Sequence, residues 1–218
     1  MTEEERKTIT QAVQTAKKRI AEAAIASGRK PEDITLVAAT KMNDAERVRA
    51  AIEAGVDVCG ENRVQELLEK YEQHAYDGKP LHFIGTLQTN KVKYLIGKVS
   101  MIESVSSVKL AKVIDKEAAK AGICQDILLE LNIGREESKL GIDPDEIDSV
   151  IEQVAQLEHV HVRGLMAIPP KTQPNQEKTL YFDRMSQLFI DISAKKYDNI
   201  TMDCLSMGMS ADYCEAIS

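Results

Sequence analysis

The chain has 218 residues, 43% of them hydrophobic and 29% charged, which suits one large domain or two small ones of an ordinary globular protein. Its 28 Lys and Arg against 35 Asp and Glu leave a net charge of −7, which disfavours binding nucleic acid or anionic membrane through a general field. Aromatic residues make up 4% and Trp is absent, which disfavours a base-stacking surface, and no apolar run approaches the ~20 residues of a membrane span.

The opening MTEEERKTIT is charged and polar, so it does not read as a secretory signal. Residues 3–27 read as a helix, with Ile9, Ala12, Val13, Ala16, Ile20 and Ala24 at helical spacing and Ser27-Gly28 closing it. Apolar, often β-branched runs then appear at 34–40, 56–61, 81–86, 101–105, 126–133, 160–168 and 199–208. Helical patterns lie at 44–54, 62–74, 88–97, 107–121, 144–157 and 176–195. Asn43 is the expected start of the second helix and Gly55 its stop, while Asp143 precedes Pro144 at a first turn. PPKTQPNQE (169–177), with three of the six prolines, reads as the least ordered segment. After Ser210, ADYCEAIS reads as the start of a helix.

Continuous apolar strands, each followed by a helix, indicate an α/β fold with parallel strands covered on the outside. No composition break divides the chain, so residues 1–218 read as a single domain. An open doubly wound sheet and a closed (β/α)8 barrel both fit the alternation. At 218 residues the chain is short for a barrel of typically about 250, and seven strands are visible rather than eight.

In parallel α/β folds chemistry gathers at the carboxyl ends of the strands. Those ends carry Thr40-Lys41, Gly60-Glu61-Asn62, Gly85-Thr86, Asn132 with Gly134, Met166 with Ile168, and Ser206-Met207-Gly208-Met209-Ser210. An amine in a partly dry pocket loses its charge more easily and attacks carbonyls to form Schiff bases, which is the chemical reading of Lys41. The plain alternative is a lysine that ends a strand and reaches solvent. The SMGMS segment (206–210) offers a phosphate cradle, or simply a helix cap at Ser210. Asn62 reads equally as a cap or a polar contact, and Lys139 as part of a solvated charge run or a rim residue. Cys59, Cys124, Cys204 and Cys214 form no CxxC pair and are expected to be reduced, mostly buried thiols of a cytosolic protein. The histidines at 74, 82, 159 and 161 have no metal spacing, and His82, on a strand, reads as a satisfied core group.

Six segments, LVAATK (36–41), CGENRVQE (59–66), LHFIGTLQTNK (81–91), LNIGREESKLGI (131–142), VRGLMAIP (162–169) and LSMGMSAD (205–212), together resemble one family. It is the pyridoxal-phosphate homeostasis proteins, which share their fold with the N-terminal domain of alanine racemase. The resemblance spans nearly the whole chain. It implies a TIM-type (β/α)8 barrel with an extra N-terminal helix. It also implies pyridoxal 5'-phosphate held as a Schiff base on Lys41, with Ser206 and Ser210 toward the phosphate, Asn62, Met166 and Met207 lining the cofactor, and Lys139 on the same rim. Members resemble carriers that act in vitamin B6 and amino-acid homeostasis rather than in turnover. The implied partners are the cofactor and pyridoxal-phosphate-dependent apoenzymes, with no nucleic acid and no membrane, for a cytoplasmic monomer. Family members continue into a final strand of VRIGTAIFG type, whose Arg, Gly and Thr contact the cofactor. That strand is not among these residues, so the first and seventh strands are expected to have unpaired edges. The alternatives are a racemase or decarboxylase on the same cofactor, which needs an acid/base group facing Lys41, and a cofactor-free Schiff-base aldolase. A structural or RNA-binding module is disfavoured by charge and aromatic content.

Overall fold

A computed structural model of the chain describes residues 1–137, 139–170 and 177–218. The segment expected to be least ordered, 169–177, lies mostly outside them. The seven strands are β1 (Val37–Ala39), β2 (Val58–Glu61), β3 (Leu81–Phe83), β4 (Met101–Val105), β5 (Gln125–Glu130), β6 (Val160–Met166) and β7 (Ile200–Ser206). The helices are α1 (Glu3–Ala26), α2 (Ala45–Glu53), α3 (Val64–Glu72), α4 (Val108–Ala121), α5 (Ile147–Val154), α6 (Glu177–Ser193) and α7 (Tyr213–Ile217). All strand pairs are parallel, and the sheet order is β1-β2-β3-β4-β5-β6-β7. Consecutive order with no reversal is the winding of a barrel and excludes the doubly wound arrangement. Among the described residues β1 and β7 do not pair, so each has a free edge.

The sheet is strongly curled. Ser206 Oγ at the end of β7 donates to Glu103 Oε2 on β4 at 2.6 Å. With β5 and β6 in between, a flat sheet would set those two strands roughly 14 Å apart, three strand spacings. Alternation along each strand then separates two faces. Outward go Cys59, Phe83, Ile102, Ile127, Leu129, Val162 and Leu165, which pack with Leu67, Ile114, Ile151 and Met185 of the helices into the main core. Inward goes a smaller cluster of Met101, Leu128 and Met166, with Cys204 against it. Each fully buried side chain of this size contributes about 1.5–3 kcal/mol, so the outer layer dominates stability.

The helices form where the pattern places them. In α4, Leu110, Ala111, Ile114 and Ala118 make one buried stripe, and Ser107 Oγ caps the Leu110 amide at 3.2 Å. The extra helix α1 starts on a reciprocal Thr2–Glu5 capping box. It packs Ile20 and Ala24 against Ile217 of α7, with the Arg19 guanidinium 5.1 Å from the Tyr213 ring. No helix among the described residues is long and apolar enough to cross a membrane.

Several local expectations are corrected. Residues 88–97 form a 3-10 helix, Thr89–Tyr94, rather than an α-helix. Thr89 and Asn90 are weak helix formers, and the three-residue period brings Val92 and Leu95, both fully buried, onto one face. The cap of α2 is Asp44, whose Oδ1 accepts the Arg47 amide at 2.9 Å; Asn43 instead donates to the Lys41 carbonyl at 3.1 Å. Arg63, not Asn62, precedes α3, and Asp212, not Ser210, precedes α7. Asp143 does cap, but Pro144 opens a short 3-10 turn ahead of α5 rather than the α-helix itself. Of the cysteines only Cys59 is buried. Cys124 sits in the exposed loop before β5, and Cys204 and Cys214 are half-buried, so an apolar run did not guarantee burial.

Candidate functional site

The carboxyl ends of the strands form one rim. Leu36 and Ala38 pack against the outer core and Thr40 is buried, so period-two alternation puts Lys41 with Val37 and Ala39 on the inner face. The β1–β2 register pairs Ala39 with Gly60, and the Thr40 amide continues it to the Gly60 carbonyl at 2.9 Å. Extending that register sets Lys41 beside Asn62. The Lys41 side chain is exposed and its amine has no hydrogen bond or ion pair among the described residues. Among the described residues no dry pocket encloses it, and β1 pairs with β2 alone.

Under Lys41 lies a buried polar network. Lys70 Nζ on α3 donates to the Thr40 carbonyl (2.7 Å), to Glu61 Oε1 (2.6 Å) and to Glu66 Oε1 (2.9 Å), which uses all three ammonium protons. Thr40 Oγ1 and the Tyr76 hydroxyl also donate to Glu61 Oε1, at 2.6 and 3.1 Å. Glu66 Oε1 accepts the Met42 amide as well. Burial works to raise the Glu66 carboxyl, but hydrogen bonds from Lys70 and Met42 outweigh it, and the net direction is down. The Tyr76 phenol is pushed up by burial and by the Glu61 carboxylate. Met42 carries φ +62°, a left-handed conformation that a side chain of its type rarely adopts.

Asn62 is the second feature. Its side-chain Oδ1 is buried and has no hydrogen-bond partner among the described residues, an arrangement that costs free energy unless something supplies a donor. Gly85 at the end of β3 runs directly against Asn62: a Cβ there would sit 2.1 Å from the Asn62 carbonyl oxygen. Only glycine permits that approach.

Further inside, His82 Nδ1 lies 2.6 Å from Glu103 Oε1, whose other oxygen receives Ser206. His82 is thus a partnered histidine of the strand interior. The register places Glu130, Met166 and Ser206 side by side at the ends of β5, β6 and β7. Burial pushes the Glu130 carboxyl up to about 7, and it has no side-chain partner among the described residues. Met207 packs against the outer core instead, and Ser210 is exposed in the turn before α7. Gly208 at φ +84° lets the chain fold back on Ala216 and Tyr213. Asn132 spends its side chain inside its own loop, on the Glu136 amide and carbonyl (3.1 and 2.9 Å). Lys139 pairs with Glu136 and donates to the Ile168 carbonyl at 3.3 Å, which places it on the rim between β5 and β6.

Of the residues singled out from sequence, the rim therefore gathers Lys41 with Asn62 and Met166 with Ser206, with Lys139 above. It turns the Met207 side chain away and leaves Ser210 in solvent. Sequence reasoning missed Glu103, Glu130 and Lys70. A charged residue at an inward position of an apolar strand was the available signal for the first two. For Lys70 it was the four-residue spacing from Glu66 on one helix face.

The profile of the family described as alanine racemase, N-terminal domain, matches residues 6–218. A protein of Aquifex aeolicus named pyridoxal phosphate homeostasis protein is 42% identical over 199 residues, 91% of this chain and 86% of that one. The crystal structure of an unknown protein from Bifidobacterium adolescentis superposes with a TM-score of 0.93 at 34% identity, covering 100% of this chain and 92% of the other. PipY of Synechococcus elongatus, solved with PLP bound, gives 0.78 at 30% identity, over 91% and 92% of the two chains. An alanine racemase of Clostridium difficile gives 0.67 at 15% identity over 83% of this chain and 47% of that one, a likeness of fold alone. The architecture is that alanine racemase-like, TIM-type barrel, with seven of its strands among the described residues.

Proposed function

We infer the function from one premise: the chain belongs to the pyridoxal phosphate homeostasis protein family, built on the alanine racemase N-terminal domain. The protein binds pyridoxal 5'-phosphate and acts in vitamin B6 and amino-acid homeostasis. The observation that carries this reading is the free amine of Lys41 beside Asn62, whose buried amide oxygen lacks a donor. Bound cofactor supplies an aldehyde, which condenses with a primary amine to a Schiff base.

The residues present fit that group. Lys41 is the amine. A ligand O–H or N–H satisfies Asn62. The Ser206 hydroxyl can turn from Glu103 toward a phosphate oxygen, and the Met207, Gly208 and Ser210 amides follow it in the chain, so Met207 acts through its main chain, while the Met209 amide is spent on Asp212 Oδ1 at 2.6 Å. Met166 forms the apolar wall, and Lys139 adds positive charge at the mouth. Residues 1–218 act as one domain, supported by the single sheet and the continuous outer core. A cytoplasmic monomer that hands the cofactor to apoenzymes fits the acidic surface and the family's name.

Turnover is not its role in this reading, since Glu103 stays paired with His82 at 2.6 Å and the Tyr76 phenol is buried on the outer side. One observation favours the second reading, an enzyme on the same cofactor: the unpartnered Glu130 in the layer of Met166 and Ser206. Equilibrium dialysis with pyridoxal 5'-phosphate, followed by a chirality assay on L-amino acids, separates the readings. Uptake without racemisation is the expected result. Racemisation that disappears in Glu130→Gln would establish the enzyme instead.

A further inference from the structure

Lys41 sits exposed in the turn that follows β1, an edge strand of three residues. A residue so placed is ordinarily free to wander. Yet the peptide groups on both sides of it are held by one helix. On the N-terminal side the Thr40 carbonyl receives Lys70 Nζ at 2.7 Å, and on the C-terminal side the Met42 amide donates to Glu66 Oε1. Glu66 and Lys70 are one turn apart on α3 and bonded to each other at 2.9 Å. Lys70 is in turn anchored on Glu61, which is fully buried on β2. All three groups are charged; Glu61 and Lys70 are buried and Glu66 partly so, which is costly unless the arrangement is fully bonded. Met42 itself holds the left-handed conformation, φ +62°, next to its contact with Glu66.

We propose that Glu66 and Lys70 are positioning residues for Lys41, clamping the peptide groups that flank it so that its amine is presented at a fixed point on the rim. The proposal rests on the reading of Lys41 as the cofactor-bearing residue. It concerns residues that do not touch the ligand, and it explains why a buried ion pair is built beneath an exposed turn. The carbonyl of Lys41 itself is held from the side by Asn43 at 3.1 Å, so the two peptide units that flank Lys41 are braced at three points.

Lys70 is a poor first target because removing it strands the buried Glu61 carboxylate. Glu66 is better: Glu66→Ala removes the bond to the Met42 amide while Lys70 keeps Glu61 and Thr40. Glu66→Gln keeps an acceptor oxygen for that amide. Two readouts are needed, amide hydrogen exchange at Met42 in the cofactor-free chain and the release rate of pyridoxal 5'-phosphate after loading. In Glu66→Ala, exchange at Met42 should rise about tenfold, the size of one lost hydrogen bond. Cofactor release should accelerate by several-fold, with core amides in β4 to β6 unchanged; Glu66→Gln should stay near wild type in both. Unchanged Met42 exchange overturns the clamp, and so does faster exchange with unaltered release. A uniform rise in exchange across the core would assign Glu66 a merely structural role. If the wild type takes up no cofactor on Lys41, the functional reading fails, and Met42 exchange alone then decides whether the clamp exists.

Discussion

At the scale of single residues, Glu130 makes a specific prediction about pH. Its folded pKa is raised from 4.5 to about 7 by burial. The folded state therefore holds a proton that the unfolded state releases. The resulting stability is complete below about pH 4.5 and is lost as pH rises through about 7, by about 1–3 kcal/mol. Glu130→Gln cannot titrate, so it should be more stable than wild type at pH 8 and close to it at pH 5. Urea unfolding at the two pH values checks this, and equal pH dependence in both proteins would contradict it. Lys70 matters for another reason, because it compensates the buried Glu61. Lys70→Met should cost about 3–5 kcal/mol by leaving that carboxylate unpaired, read as a lower urea midpoint. Neither residue stood out in the sequence. Glu130 sits inside DILLELNI, and Lys70 looks like any helix-surface lysine. Their roles depend on what curls over them, which no local pattern encodes. Lys41, Asn62 and Ser206 were legible because each follows an apolar strand, and strand ends gather at one rim.

At the scale of elements, the sequence pattern located all seven strands and most helices, since parallel buried strands read as unbroken apolar runs. The misses have local causes. The 3-10 helix at Thr89–Tyr94 was hidden because three-residue and four-residue periods both fit a segment anchored by Val92 and Leu95. The caps of α2 and α7 were misplaced by one or two residues, since AsnAsp and SerAlaAsp each offer two candidate side chains. Ser107 before α4 stands without such a rival, and its hydroxyl accepts the Leu110 amide. Ser107→Ala should therefore lower stability by about 1 kcal/mol, measured by thermal or denaturant unfolding. No change would mean that this amide finds another partner.

At the scale of the whole molecule, the sheet is uneven. β4 to β6 are paired on both sides and buried, whereas β1 has three residues, one paired neighbour and a partly exposed face. Native-state hydrogen exchange should find the slowest amides in β4, β5 and β6 and much faster ones in β1; equal protection across the sheet would contradict this. That unevenness puts Lys41 just past a three-residue edge strand, which is why its holding network matters. The central claim is that Lys41 carries pyridoxal 5'-phosphate. The most direct measurement is a visible absorption spectrum after adding the cofactor, for wild type and Lys41→Ala, followed by borohydride reduction and mapping of the labelled peptide. Wild type should show a yellow band that the variant lacks, with the reduced label on Lys41. A colourless wild type, or a label on another lysine, would contradict it.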